Sequence, residues 1–219
     1  KRLFTDSAIE QNFVNSIIVT SFSVALTLLL ASLAAFGIAR MVNITGKVLF
    51  TLFAFGLAIP AATNIIAIFQ LFVQLKLTNS LLGLVLINIA ATLPIAIFIL
   101  VAFFRQIPSE MYEVASIDGA GPVRLYRSIA LPLSKPSMGA VAIFLFVITW
   151  NDLLFPLLLI TQQDKKTLPL AMLDFRGEYS ISFSMIFTAV MVASIPMVIM
   201  YLMMQRTFVA GLTAGAVKG

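Results

Sequence analysis

Residues 105–136 read RQIPSEMYEVASIDGAGPVRLYRSIALPLSKP, a polar interval between two long apolar runs. It carries seven of the chain's 23 formal charges (14 basic plus 9 acidic), so charge gathers where the apolar runs stop. A short helix-like segment is expected from Glu113 and Ala115, a break from Gly119 to Gly121, and a second segment from Pro122 to Ile129-Ala130-Leu131-Pro132. Gly119 and Gly121 permit positive φ and so a sharp reversal. Pro122 suits the first turn of a helix. Met111, Val114, Ala115 and Ile117/Asp118 fall at helical spacing, giving a small apolar face on which Ala115 lets another backbone come close. Glu113 offers a carboxylate to a basic partner group or to the helix start. Arg124 and Arg127, one turn apart, offer the reverse. An interval this long and this patterned predicts a docking surface for a soluble partner rather than a connector. The bland alternative is a solvated interfacial loop with no partner.

Composition sets the solvent. The chain is 61% hydrophobic and 11% charged, with mean hydropathy +1.07, whereas soluble domains are about 25% charged. A water-soluble fold is excluded. Cys and His are both absent, which removes disulfides, thiolate or imidazole metal sites and His-based acid–base chemistry. The ten Met residues read as adaptable packing, and no metal site is expected. A net charge of +5 raises nucleic acid as a partner, but the basic residues flank apolar runs instead of clustering on one face. They read as topology signals.

Outward from the polar interval, apolar runs occupy residues 13–39, 48–75, 81–104, 137–161 and 183–204. Each approaches or exceeds the roughly 20 residues a membrane-spanning helix needs. Period-two alternation is absent, so the expected fold is an all-α, polytopic transmembrane bundle with five spans. Residues 1–219 form one transmembrane domain in this reading, with 105–136 as a loop inside it. Kinks are expected at Pro60, Pro94 and Pro196. A polar connection follows at 162–182, and a Gly-rich tail, RTFVAGLTAGAVKG, at 206–219. Arg40, Lys47, Arg105, Arg124, Arg127, Lys135, Arg206 and Lys218 fall on one side; Lys1, Arg2, Lys76, Lys165, Lys166 and Arg176 fall on the other. The richer side is expected to be cytoplasmic, which puts the polar interval and the tail there. Lys1 then lies outside, and a sixth helix is expected upstream.

Polar residues inside apolar runs mark candidate functional positions. Thr63, Ala67, Gln70 and Gln74 fall on one helical face, and Asn88 and Thr92 lie one turn apart. Asn151 and Asp152 follow Trp150 within the fourth run. For each, interhelical hydrogen bonding is the alternative to lining a transport path. Trp150 is expected to anchor at the membrane interface.

Glu113-Val114-Ala115, Gly119, Ile129, Leu131 and Pro132 fit the pattern E-A-A, three residues, G, nine residues, I-x-L-P, departing only at Val114. The interval thereby resembles the cytoplasmic EAA loop of the membrane subunits of binding-protein-dependent ABC importers. The tail FVAGLTAGAVKG and Trp150-Asn151-Asp152-Leu153 are similar to the carbohydrate branch, the maltose-permease-like subunits. The resemblance implies a permease subunit that forms half of a path for a di- or oligosaccharide. Met111, Glu113, Val114, Ala115, Asp118, Gly119, Ala120, Arg124, Ile129, Leu131 and Pro132 would couple it to an ATPase. Thr63, Gln70, Gln74, Asn88, Asn151 and Asp152 are the candidate path residues, since amides and hydroxyls suit a sugar. Implied partners are a second permease, two ATP-binding cassette ATPases and an extracytoplasmic sugar-binding protein, in the cytoplasmic (inner) membrane of a bacterium or archaeon. The 162–182 connection would face that binding protein. No G-x-x-x-x-G-K-[ST] occurs in the chain, so ATP and Mg are expected on the partner subunits, and no enzymatic activity on this one. The rival reading is an ion-coupled secondary transporter using Asp152 as its coupling carboxylate. A membrane scaffold without transport is the third.

Overall fold

The computed structural model describes residues 7–175, 187 and 190–203, and all regular structure among them is helical. Helix α1, Ser7–Arg40, starts several residues ahead of the apolar run because its polar first turns are packed, not solvated. Gln11 Nε2 donates to Asn15 Oδ1 (3.0 Å), and Asn15 Nδ2 donates to the carbonyls of Asp164 (2.9 Å) and Lys166 (3.0 Å). The helix is apolar on its outside: Phe22, Leu26, Leu29 and Leu33 are exposed, while Asn15, Ser16, Thr20, Ser23, Thr27 and Ala31 are buried. Small and hydroxylated residues on the packed face with large aliphatics outward is the distribution that lipid, not water, favours.

Helix α2, Ile44–Ala58, opens on Asn43, whose side chain accepts a bond from Gly46 N (3.2 Å). It ends before Pro60, because a residue preceding proline is driven out of the helical region; Ile59 sits at φ −95, ψ 108. A 3₁₀ turn, Ala61–Asn64, leads into α3, Ile65–Gln74. The run expected as one kinked span is therefore two helical segments separated by a break. Helix α4, Leu81–Phe104, coincides with its apolar run and stays a single helix through Pro94.

Helix α5, Ser109–Ile117, is followed by α6, Pro122–Leu125, a π-helical turn, Tyr126–Ala130, and α7, Leu131–Leu133. Helix α8, Lys135–Trp150, stops well short of the expected end of the fourth run at 161, and α9, Leu154–Leu159, follows after a break. Pro156 explains the stop, since its ring clashes with a helical carbonyl four residues earlier, at Asp152. Short helices then follow: 3₁₀ turns at Gln163–Lys165 and Met172–Phe175 enclose α10, Leu168–Ala171. Helix α11, Val190–Met203, is apolar. Among the described residues, α1 and α4 are each long and apolar enough to cross a membrane, and two bent helix pairs raise the number of candidate spans to four. Part of the expected fifth span, part of the 162–182 connection and the whole 206–219 tail lie outside the described residues.

Two compact units emerge. The first takes its described residues from Lys1–Val24, Ala61–Ala91 and Phe146–Met203. Its core joins Val19, Phe72, Leu84, Phe155, Leu159 and Leu170. Trp150 belongs to this interior, not to an interface as expected. It is 2% exposed, donates Nε1–H to the Ala193 carbonyl (3.0 Å), stacks on Phe146 and meets Phe13 edge-on. Asn79, at φ 51, holds the α3–α4 turn to the end of α9: its Oδ1 accepts from Thr161 N (2.7 Å) and Gln162 N (3.0 Å). The second unit takes its described residues from Ala25–Pro60 and Thr92–Leu145 and centres on Phe36, Phe104, Tyr112 and Tyr126.

Candidate functional site

The polar interval folds as helix, turn, helix, all within the second unit. Helix α5 begins at Ser109, earlier than the expected Glu113, because Pro108 is extended and frees the next residues to coil. At the other end, Gly119 lies at φ 79. Its N–H reaches the Ser116 carbonyl (3.0 Å), and Ala120 N reaches the Ala115 carbonyl (2.9 Å). These paired bonds are a Schellman cap. The turn needs positive φ only there, since Gly121 sits at φ −72, ψ 170, extended and ready to start α6 at Pro122. Of the two glycines able to take positive φ, Gly119 uses that freedom and Gly121 does not.

Ile129 and Ala130 lie in the π turn, in which Leu131 N bonds to Tyr126 O, five residues back. Pro132 accounts for it. The proline has no N–H to give and its ring collides with the carbonyl four residues earlier, a conflict that a wider turn relieves.

Two faces result. Outward, Ile117 is 86% and Val123 70% exposed, with Met111 and Val114 also exposed, and Glu113, Arg124 and Arg127 exposed among them. Asp118 is exposed and Ala115, Ala120, Ile129 and Leu131 are half-buried. Inward, Tyr112 and Tyr126 pack on Phe36 of α1, with ring centroids 6.2 and 5.4 Å away, and Ser32 Oγ lies 2.7 Å from Tyr126 OH. The Arg40 guanidinium lies 4.5 Å from the Tyr112 ring centroid. Burial pushes the Tyr112 hydroxyl's pKa above its ordinary value, and Arg40 opposes the shift. The inward set escaped sequence reasoning. Arg40 read as a topology charge, and Phe36, Tyr112 and Tyr126 carry no spacing signal that joins them.

The candidate path residues have unlike surroundings. Thr63 lies in the 3₁₀ turn and not on α3, so it does not share a helical face with Gln70 and Gln74; all three are exposed. Asn88 is buried, with Nδ2 donating to the Leu84 carbonyl (2.9 Å). Thr92 is buried with its hydroxyl 3.2 Å from that of Thr27. Asn151 is exposed and bonds back to the Val147 carbonyl (2.8 Å). Asp152 lies in the break between α8 and α9 instead of inside a helix, and its Oδ1 accepts from Leu154 N (3.0 Å) and Phe155 N (3.4 Å). That is a helix-capping arrangement.

The described residues are helical, apolar outward along the long helices, and carry an ordered polar helix–turn–helix, which defines a helical membrane protein. The chain belongs to the family of binding-protein-dependent transport system inner membrane components, whose model matches residues 27–213. It is 35% identical over 97% of its length to the melibiose/raffinose/stachyose import permease protein MelC of Bacillus subtilis, covering 78% of that protein. It is 34% identical over 94% of its length to the trehalose/maltose transport system permease protein MalG of Thermococcus litoralis, covering 74% of it. The fold is similar to a crystal structure of a bacterial ABC transporter involved in import of the acidic polysaccharide alginate, with TM-score 0.78 and 18% identity over 94% of this chain and 78% of that one.

Proposed function

We propose that this chain is the permease subunit of an ATP-driven importer for a di- or oligosaccharide, working with a second permease, two ATPase subunits and an extracytoplasmic binding protein. One observation carries the sugar assignment: nearly the whole chain aligns with permeases named for melibiose, raffinose, stachyose, trehalose and maltose. Diacetylchitobiose is added by the uptake permease NgcG of Streptomyces coelicolor, 34% identical over 98% of the chain. The substrate would cross between the two permeases, and ATP and Mg would stay on the ATPases.

Residues 105–136 are the coupling loop in this reading, on the cytoplasmic side with the C-terminal tail. Its support is the outward apolar face of Met111, Val114, Ile117 and Val123, ringed by Glu113, Arg124 and Arg127. An apolar centre with a charged rim suits burial against another protein. The Schellman turn stiffens α5 against α6, and the aromatic contacts to α1 carry its displacement into a membrane helix. Co-purification tests the reading: tagged permease should retain an ATPase subunit, and vesicles holding the complex should accumulate a labelled oligosaccharide only with ATP and binding protein. Accumulation driven by an ion gradient without ATP would overturn it.

A further inference from the structure

A cavity of about 290 Å³ opens where α1 and α4 end, walled by Phe36, Phe104 and Tyr112, with Arg40 and Arg105 at its sides. Arg40 is the first charge after the uncharged run 13–39, and Arg105 the first after 77–104. Both guanidiniums therefore stand where the hydrocarbon layer gives way to headgroups. Each lies against an aromatic ring, Arg40 with its Cζ 4.5 Å from the Tyr112 ring centroid and Arg105 with its Cζ 5.0 Å from that of Phe50. A guanidinium held against a ring keeps N–H donors that can meet an anion. Among the described residues neither arginine forms an ion pair, although Glu113 also lines the cavity. Two cations against one carboxylate leave the cavity net positive, beside apolar walls.

The geometry points to a binding site for the headgroup of an anionic phospholipid, its phosphate on Arg40 and Arg105 and its glycerol and upper acyl carbons against Phe36 and Phe104. A phosphodiester matches the paired guanidinium edges. A basic pocket between membrane helices at headgroup depth is the setting in which such lipids are recognised. The site rests on α1 and α4 being spans, not on the ATPase partnership. Because Tyr112 belongs both to this wall and to α5, an occupied site would brace the coupling segment from beneath.

The test is native mass spectrometry of the permease, with whatever subunits accompany it, released from nanodiscs of equal phosphatidylglycerol and phosphatidylcholine. The expected result is preferential retention of phosphatidylglycerol, about fivefold weaker for Arg40→Gln or Arg105→Gln alone, from about 1 kcal/mol per basic residue at an anionic surface. The Arg→Lys variants, which keep the charge but lose the guanidinium donors, should retain more lipid than the Arg→Gln variants and less than wild type, and also report correct folding. Equal retention by wild type and the Arg40→Gln/Arg105→Gln double variant would overturn the site. So would displacement by free glycerol 3-phosphate, which would make the occupant a soluble anion. Loss of an ATPase subunit from the variants with lipid retention unchanged would overturn it too, by assigning the arginines to a protein partner. Lipid retention is read without ATP hydrolysis, so failure of the importer reading leaves this result separately legible.

Discussion

Ser32 Oγ of α1 lies 2.7 Å from Tyr126 OH in the π turn, with both residues buried. This hydroxyl pair, with the Phe36–Tyr126 ring contact, ties helix α1 to the segment after the Gly119 turn. Ser32 Oγ also donates to the Leu29 carbonyl (3.0 Å), so the serine keeps a partner if the tyrosine loses its hydroxyl.

Tyr126→Phe should therefore cost only about 1 kcal/mol of stability, the usual worth of one hydrogen bond. The effect on coupling should be larger, with ATP turnover persisting while transport per ATP falls severalfold. Ser32→Ala should act alike, and the double variant should be little worse than either alone. Paired ATPase and uptake assays on the four proteins check this; additive losses would show that the two hydroxyls act independently.

Gly119 and Gly121 should respond oppositely to substitution. An alanine Cβ meets nothing within 4 Å at either position, so only the backbone decides. At φ 79 a side chain costs about 1–2 kcal/mol, so Gly119→Ala should weaken ATPase retention, and Gly119→Asn should weaken it less. Gly121→Ala should be tolerated. Pull-down yields at matched expression measure the difference.

Trp150→Ala should destabilise by about 3–5 kcal/mol, the cost of emptying a large buried aromatic site. Trp150→Phe keeps ring contacts with Phe13 and Phe146 but loses the bond to the Ala193 carbonyl, and should fall between. Thermal melting in detergent ranks the three. An interfacial anchor would instead show little change in melting.

Asp152→Asn should preserve transport, because an amide oxygen can still accept from Leu154 N and Phe155 N. Asp152→Ala should lose about 1 kcal/mol of stability with the cap. Uptake measured with and without a proton gradient separates capping from ion coupling: abolition of transport by the Asn variant would favour the coupling carboxylate.

Helix α4 was legible to the residue because charge-free apolar sequence runs unbroken from turn to turn. The turn at Gly119 was legible because its positive φ is a backbone requirement that only a few residue types meet. The breaks at Ile59 and at Asn151–Asp152 were harder. Pro94 lies within α4 without ending it, whereas Pro60 and Pro156 each accompany a helix stop, and sequence alone does not say which prolines will be supported by packing. Trp150 and the Phe36–Tyr112–Tyr126 group depend on partners far along the chain, so no local window contains them.

The wide turn at Tyr126–Ala130 gives the nine-residue interval between Gly119 and Ile129 a meaning of its own. A π turn stores one residue more than an α turn. Deleting one residue between the cap and the proline leaves two outcomes: the turn tightens to α geometry, or everything after it rotates by about 100°. In the first case Pro132 would meet an ordinary helical carbonyl; in the second Lys135–Trp150 would leave the loop along another bearing. The interval works as a phase setting: it fixes which way the next membrane helix faces, and composition within it is freer to vary than length.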